Sequence, residues 1–308
     1  AISDTDNPTG TWRFYEFDAE TANTRWADFP ALGVNSTWVV ITTNMFTISG
    51  NTFSGPKMWV VNKATLLAGG SLGAAIFATG FDANPAGSGL GLIPAVTYDA
   101  AESTLYIVDN NWLDDADNMP MLRLSRITGT GASPSWSVAP NGLFGPYGVF
   151  RVVNRFGFTQ VGAPQLGDAR TIFTGDIRIQ NVVMRNGRVW TTHTAGLPTS
   201  GTPNRTAVFW YAINPTALPT PIVQSGVLDG GAGVHHFFPS IGVNCANDAC
   251  IGMSRSDATR YAEAVFASRL NADALGSLRP ISILKAGEHS YFKDFGSGKN
   301  RWGDYSAT

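Results

Sequence analysis

Three stretches of the chain share one order of apolar and polar positions: DFPALGVNSTWVVITTN (28–44), LIPAVTYDAAESTLYIVDN (92–110) and FFPSIGVNCANDACIGMS (237–254). Each runs through an apolar residue, a proline, a small residue, an apolar alternation, a polar turn and a second apolar run. Period-2 alternation on both sides of a turn predicts a β-hairpin. IQNVVMRNGRVWTTH (179–193) is a looser copy, and its Asn186-Gly187 pair favours the type I′ turn that matches strand twist. A further strand pair follows every hairpin: 57–61 and 74–78, 121–127 and 135–139, 207–213 and 222–226, 264–270 and 281–287. Four strands per unit result. Units begin near 29, 93, 179 and 238, and RWGDYSAT (301–308) reads as the opening of a fifth.

A four-stranded meander recurring at long intervals predicts an all-β fold, a β-propeller of four-stranded antiparallel blades. Four blades read as complete and partial ones stand at both ends, five to seven in total, in one domain over 1–308 that is a fragment of a longer chain. A jelly roll or a sandwich is the alternative. The stretch 258–276 is Ala-rich and helical by propensity, but its place in the repeat makes it a strand. The opening 1–18 reads as the second half of a blade.

Composition narrows this further. With 34 glycines and 17 prolines in 308 residues the chain is dense in turn-formers, which excludes a helical bundle. Charged residues are 14% against an average near 25% and hydrophobic residues 44%, so a large core is available and disorder is excluded. A net charge of −2 without a run of Lys or Arg leaves no footprint for nucleic acid. No apolar run is long enough to span a bilayer. The two cysteines, Cys245 and Cys250, flank a polar turn, which predicts a local disulfide and with it an extracellular or periplasmic setting. Free buried thiols come next. A zinc site comes last, because His193, His235, His236 and His289 lack ligand spacing.

SDTDNPTGTWRFYEFD, ADFPALGVN…TTNMF, GRVWTTHT…AVFWYAINP, HFFPSIGVN and RWGDYSA together resemble a group of secreted bacterial β-propeller proteins without an assigned activity. The likeness covers nearly the whole chain and implies fold and export, not a substrate. SDTDNPTGTW also resembles, loosely, the Asp-box turn of sialidase-like propellers, with Ser3, Asp6, Gly10 and Trp12 in its structural roles. The arginine cluster, Tyr–Glu pair and Arg-Ile-Pro segment of a sialidase are not recognisable.

In a propeller, the starts of the first strands and the ends of the second converge on one funnel, where ligands bind. The repeat places Asp28, His235, His236, Arg301 and Asp304 at the starts, and Asn44, Asp109, Asn110, His193 and Arg255 at the ends. Asp28, Asp304, His235, His236 and His193 are the candidates for acid–base work. Arg301, Trp302, Asn44, Asp109, Asn110 and Arg255 are the candidate ligand contacts, with Trp302 able to stack on a sugar ring. Structural roles compete: adjacent His235 and His236 point to opposite sides, His193 anchors a loop, and Arg301 pairs with Asp304. The acidic loop 109–118 brings Asp114, Asp115 and Asp117 together and could hold Ca²⁺, although it lacks the EF-hand pattern. No other cofactor is called for. The leading reading is a secreted, non-enzymatic propeller that binds an extracellular glycan or protein in the funnel. The first alternative is a glycoside hydrolase or lyase, in which two of Asp28, Asp109, Asp176 and Asp304 face each other at about 5.5 Å or about 6.5–9.5 Å. The second is an architectural surface or filament subunit.

Overall fold

The computed structural model describes residues 1–72, 76–77, 91–111, 121–137, 149–151, 161–199, 201–217 and 222–308. A short hairpin, β1 (Ile2–Ser3) and β2 (Trp12–Arg13), opens the chain. The first sheet is the meander β3 (Arg25–Val34), β4 (Trp38–Thr47), β5 (Phe53–Asn62) and β6 (Ile76–Phe77). A five-residue helix, α1 (Lys63–Leu67), leaves β5 under an N-cap from the Asn62 side chain. The second sheet is β7 (Ile93–Pro94), β8 (Leu105–Asn111), β9 (Met121–Thr130) and β10 (Ser133–Ser137), and β11 (Val149–Arg151) also pairs with β9. β12 (Ala163–Gln165) and β13 (Asp168–Phe173) form a hairpin. The third sheet is β14 (Asn181–Arg185), β15 (Arg188–Leu197), β16 (Arg205–Ile213) and β17 (Ile222–Leu228). The fourth is β18 (His235–Val243), β19 (Ala249–Asp257), β20 (Arg260–Arg269) and β21 (Ser282–Lys285). β22 (Asn300–Arg301) joins β13 in parallel to complete a fifth sheet.

The four predicted meanders are therefore present. The Asn186-Gly187 turn has both residues at positive φ, 46° and 72°, as a type I′ turn requires. Residues 260–269 of the Ala-rich stretch form strand β20 and not a helix, because pairing with β19 on one side and β21 on the other outweighs propensity.

The order of packing follows from which face each residue takes. Along β16, Ala207, Phe209, Tyr211 and Ile213 enter a core shared with Val108, Leu122 and Leu124 of the second sheet. Their neighbours Val208, Trp210 and Ala212 enter a core shared with Ile251, Met253 and Val265 of the fourth. A strand covered on both faces reads as a continuous apolar run, and RTAVFWYAI is one. The second sheet does the same on its other side, where Leu105 and Ile107 meet Trp38, Val40, Met58 and Val60 of the first. Phe237, Phe238 and Ala262 of the fourth sheet meet Ala163 and Ile172 of the fifth. Sheets one to five thus stack face to face in series, which is not a two-sheet sandwich.

First strands lie side by side. Parallel bridges link Val34 to Val96 and Val96 to Val183, and the Asn181 side chain makes the next link by donating to the Ile241 carbonyl (2.8 Å) and accepting from its N–H (3.0 Å). At Gly33 the approach leaves no room for a side chain: a Cβ there would stand 2.5 Å from the Pro94 Cβ.

Two expectations are corrected. The cysteines are free thiols: Cys250 lies opposite Gly242 in the β18–β19 ladder, whereas Cys245 sits in the loop beyond the last pair, so the two are not cross-strand partners. Asn244 closes that loop instead, its Oδ1 accepting the N–H groups of Ala246 and Asp248 at 2.9 Å. The opening segment does not complete a terminal blade. It packs on the first sheet, with the Tyr15 hydroxyl donating to the Leu66 carbonyl (2.9 Å) and Phe17 against Trp59. Within it, Asn7 fastens the Asp-box-like turn by accepting from Thr9, and Asp6 makes no hydrogen bond found among the described residues.

Candidate ligand-binding site

Two aromatic-proline pairs shape the first strands. Phe29 and Phe238, each followed by proline, adopt left-handed backbone at φ 53° and 49°, a conformation rare for bulky residues. Both sit where the ladder slips, between Asp28 and Ala31 in β3 and between Phe237 and Ser240 in β18. Each bulge re-aims an aromatic ring. Phe29 is turned so that the Arg178 guanidinium lies over its ring, 4.2 Å from the centroid, and the Tyr305 ring stacks on it at 4.8 Å. Arg178 is held by Asp176 at 2.8 Å. Arg301 pairs with Asp304, whose backbone carbonyl accepts from the Gln180 side chain at 3.2 Å. Burial, then the charges of Asp28 and Asp304, push the Tyr305 hydroxyl up to about 12. Residues 28–29, 176–180 and 301–305 thus meet at one place.

Beside this cluster lies a cavity of about 450 Å³. Its walls come from the first strands of the first four sheets and from residues 305–308, and include Leu32, Val96, Val183, Ile241 and Tyr305. Asn181, Gln180, Tyr98 and Arg185 supply polar atoms at its edges. Apolar walls with a few placed polar groups are the usual form of a small-ligand site.

Most of the residues expected to ring the funnel are engaged by other residues of the fold. Asp109 is fully buried against Arg123 (2.9 Å), and burial raises its carboxyl above the usual range despite that arginine. Arg255 pairs with Glu263 at 2.6 Å. Asn44 is buried and accepts the Gly91 N–H at 3.1 Å, and Asn110 pairs with Leu122 in the ladder. His193 lies between the rings of Phe209 and Tyr211, with Nδ1 3.1 Å from the Thr194 carbonyl and Nε2 3.3 Å from the Tyr211 hydroxyl. His235 Nδ1 accepts the Thr206 N–H at 3.3 Å, and His236 is buried beside Asp229 and Arg255. Burial lowers all three histidines to about 4, which leaves them neutral at pH 7. Trp302 donates from Nε1 to Ser254 Oγ (3.0 Å) and meets Tyr291 edge-on, fastening the last strand to the fourth sheet. Asp114, Asp115 and Asp117 lie outside the described residues. Among the described residues no group of three or more His, Cys, Asp or Glu is placed to hold a metal.

Asp28 and Asp304 stand near Tyr305, and Arg301 pairs with Asp304, but none of the three lines the cavity, and the three buried histidines do not line it either. Sequence reasoning missed Phe29, Arg178, Gln180 and Tyr305. The repeated aromatic-proline pair was the available signal for Phe29, since it marks a bulge that repositions a ring.

No protein-family model matches the chain, and neither does any curated protein. Among solved structures it is similar to a protein of unknown function from Dyadobacter fermentans, at 12% identity and a TM-score of 0.49 over 86% of this chain and 71% of that one. It is also similar to a glycoside hydrolase (9%, TM-score 0.43, 90% and 78%) and to a xylan β-1,4-xylosidase from Bacillus halodurans (12%, 0.38, 88% and 44%). Likeness at this level assigns neither substrate nor reaction.

Proposed function

We propose that the five sheets close as a five-bladed β-propeller and that the axial cavity binds a saccharide without cleaving it. The carrying observation is the meeting of the first strands of four sheets on one cavity lined by Tyr305 and Gln180, with Phe29 stacked on Tyr305 and Asp28 nearby. Aromatic faces suit the C–H side of a sugar ring, and carboxylate and amide groups suit its hydroxyls. The volume suits one or two sugar rings. Cleavage needs a pair of available carboxyl groups. Of the four candidates, Asp109, Asp176 and Asp304 are paired with arginines, and Asp28 alone has no ion pair among the described residues, which favours binding.

No helix among the described residues is long and apolar enough to cross a membrane. Export to the cell surface or periplasm belongs to the proposal through the sequence resemblance, since the free thiols remove the disulfide argument. A glycan array with the purified chain, followed by calorimetry, tests the reading. Tyr305→Ala and the cavity-filling Ile241→Trp should each weaken the hit at least tenfold while the thermal unfolding profile keeps one transition. Release of reducing sugar that Asp28→Asn abolishes would replace binding by hydrolysis. Filaments without any saccharide affinity would replace both by an architectural role.

A further inference from the structure

The segment between β21 and β22 carries a second surface, separate from the cavity. Residues 292–299, FKDFGSGK, are all exposed. Phe295 stands 70% exposed near the tip and Phe292 51% exposed at the base. Two phenylalanines thus stand exposed on one eight-residue loop, and the loop is held in a hydrogen-bonded frame. Asp294 Oδ1 accepts the N–H groups of Gly296, Ser297 and Gly298 at 2.8, 3.0 and 3.3 Å, and both glycines take positive φ that other residues resist. The base is pinned where Arg301 N–H donates to the Lys293 carbonyl (2.8 Å) and Lys293 N–H to Asn300 Oδ1 (2.9 Å).

Charge is arranged around the same rings. Lys293 Nζ lies 4.9 Å from the Phe295 ring and Lys299 Nζ 4.6 Å from Phe173, and neither lysine has an ion pair among the described residues. The Arg170 guanidinium covers Phe292 at 3.6 Å. The one acid of the loop, Asp294, has its Oδ1 engaged by three N–H groups of the loop itself. The loop therefore presents apolar rings and two lysines beside a single carboxylate that is half taken up by its own backbone.

We propose that this loop docks the protein on an anionic lipid bilayer, with Phe295 and Phe292 entering the headgroup boundary and Lys293 and Lys299 resting on lipid phosphates. Apolar rings beside cations are what an interfacial anchor requires. A hydroxyl-rich acidic polysaccharide is the competing occupant: the two lysines would serve its carboxylates as they serve phosphates, but Phe295 and Phe292 offer its hydroxyls neither donor nor acceptor, and the Ser297 hydroxyl already accepts from the Lys299 N–H.

The test is co-sedimentation of the full chain with vesicles of phosphatidylcholine alone and of equimolar phosphatidylcholine and phosphatidylserine. Binding is expected to the second only. Phe295→Ser should reduce it about tenfold, and the pair Lys293→Glu, Lys299→Glu at least as much. These positions are exposed, so thermal unfolding should stay unchanged, and saccharide binding at the cavity should persist. A Phe295→Trp variant should gain blue-shifted emission on binding anionic vesicles. Equal sedimentation with both vesicle types, or none with either, overturns the proposal. So does full retention by Phe295→Ser, as does capture by polygalacturonate that depends on the lysines but not on Phe295, which would assign the surface to acidic glycans.

Discussion

The third sheet and the fifth are built from the chain in opposite ways. The third is one unbroken stretch, 181–228, whose central strand is buried on both faces between its neighbours. The fifth draws β12 and β13 from mid-chain and β22 from near the end, and joins them by a parallel pair only two residues long. Contiguous meanders gain stability from local ladders and from two cores at once. A sheet assembled from distant segments depends on side chains such as Trp302, Gln165 and Asn300 reaching across. The third sheet supplies a cavity wall through Asn181–Arg185, whereas the fifth stands next to the cavity only through the residues that follow β22.

The contrast is broken most directly by truncating one ring in each sheet. Phe209→Ala removes a fully buried ring from the core between the second and third sheets and should cost about 3–5 kcal/mol. Phe173→Ala in the fifth, half-buried beneath Lys299 and Arg301, should cost about 1 kcal/mol. Urea unfolding of both variants measures the difference, and equal costs would dissolve the distinction. Asp109→Ala in the second sheet leaves Arg123 buried without its partner and should cost about 3–5 kcal/mol, most of it recovered by also changing Arg123→Met.

Acid sharpens the comparison, because His193, His235 and His236 all lie in the third and fourth sheets. Burial holds their folded pKa near 4, whereas the unfolded chain titrates near 6.5. Protons therefore bind the unfolded chain first. Stability is full above about pH 6.5 and falls as pH drops from there to about 4, by roughly 3 kcal/mol at most for each histidine. Unfolding midpoints measured across that window should show the loss, and His193→Phe should make its slope shallower.

Gly33→Val probes the joint between the first two sheets. The new side chain meets Pro94 and the Ala95 carbonyl, and overpacking of this kind costs about 1–3 kcal/mol. Gly187→Ala, which meets open space and only strains the turn, should cost less.

How much was legible in the sequence follows the same division. Four meanders could be read because hairpin, turn and strand pair are neighbours in the chain, as with Asn186-Gly187. Strand β20 could be read against its Ala-rich propensity because the repeat located it. The fifth sheet could not: the pairing of Ile172 with Asn300 leaves no local pattern, and the strands that meet the last segment come from mid-chain, outside the repeat units. Of the candidate site less was legible. The repeat singled out Asp28, Arg301 and Asp304, which gather around Tyr305 outside the cavity lining, but whether a polar residue faces a cavity or a partner depends on contacts between sheets. His193 reads as a candidate base and is instead a neutral ring clamped between Phe209 and Tyr211.

The smallest expected effect separates a perturbed pKa from a contribution to stability. Asp168 in the fifth sheet is held at about 2, chiefly by side-chain hydrogen bonds from Arg170 and then by that residue's N–H. The pair lies at the surface, where water and salt screen charge and ordering two side chains costs entropy. A lowered carboxyl pKa favours the folded state only above the unfolded value near 3.9 and loses that contribution as pH falls toward 2. Asp168→Asn should therefore leave the unfolding midpoint at pH 7 nearly unchanged and insensitive to added salt, whereas Asp109→Ala lowers it sharply. Arg170 would still cover Phe292 by cation–π contact, so the lipid-docking loop should keep its affinity. A marked loss of stability in Asp168→Asn would mean that the fifth sheet depends on this ion pair and not on the buried contacts of Ile172 and Trp302.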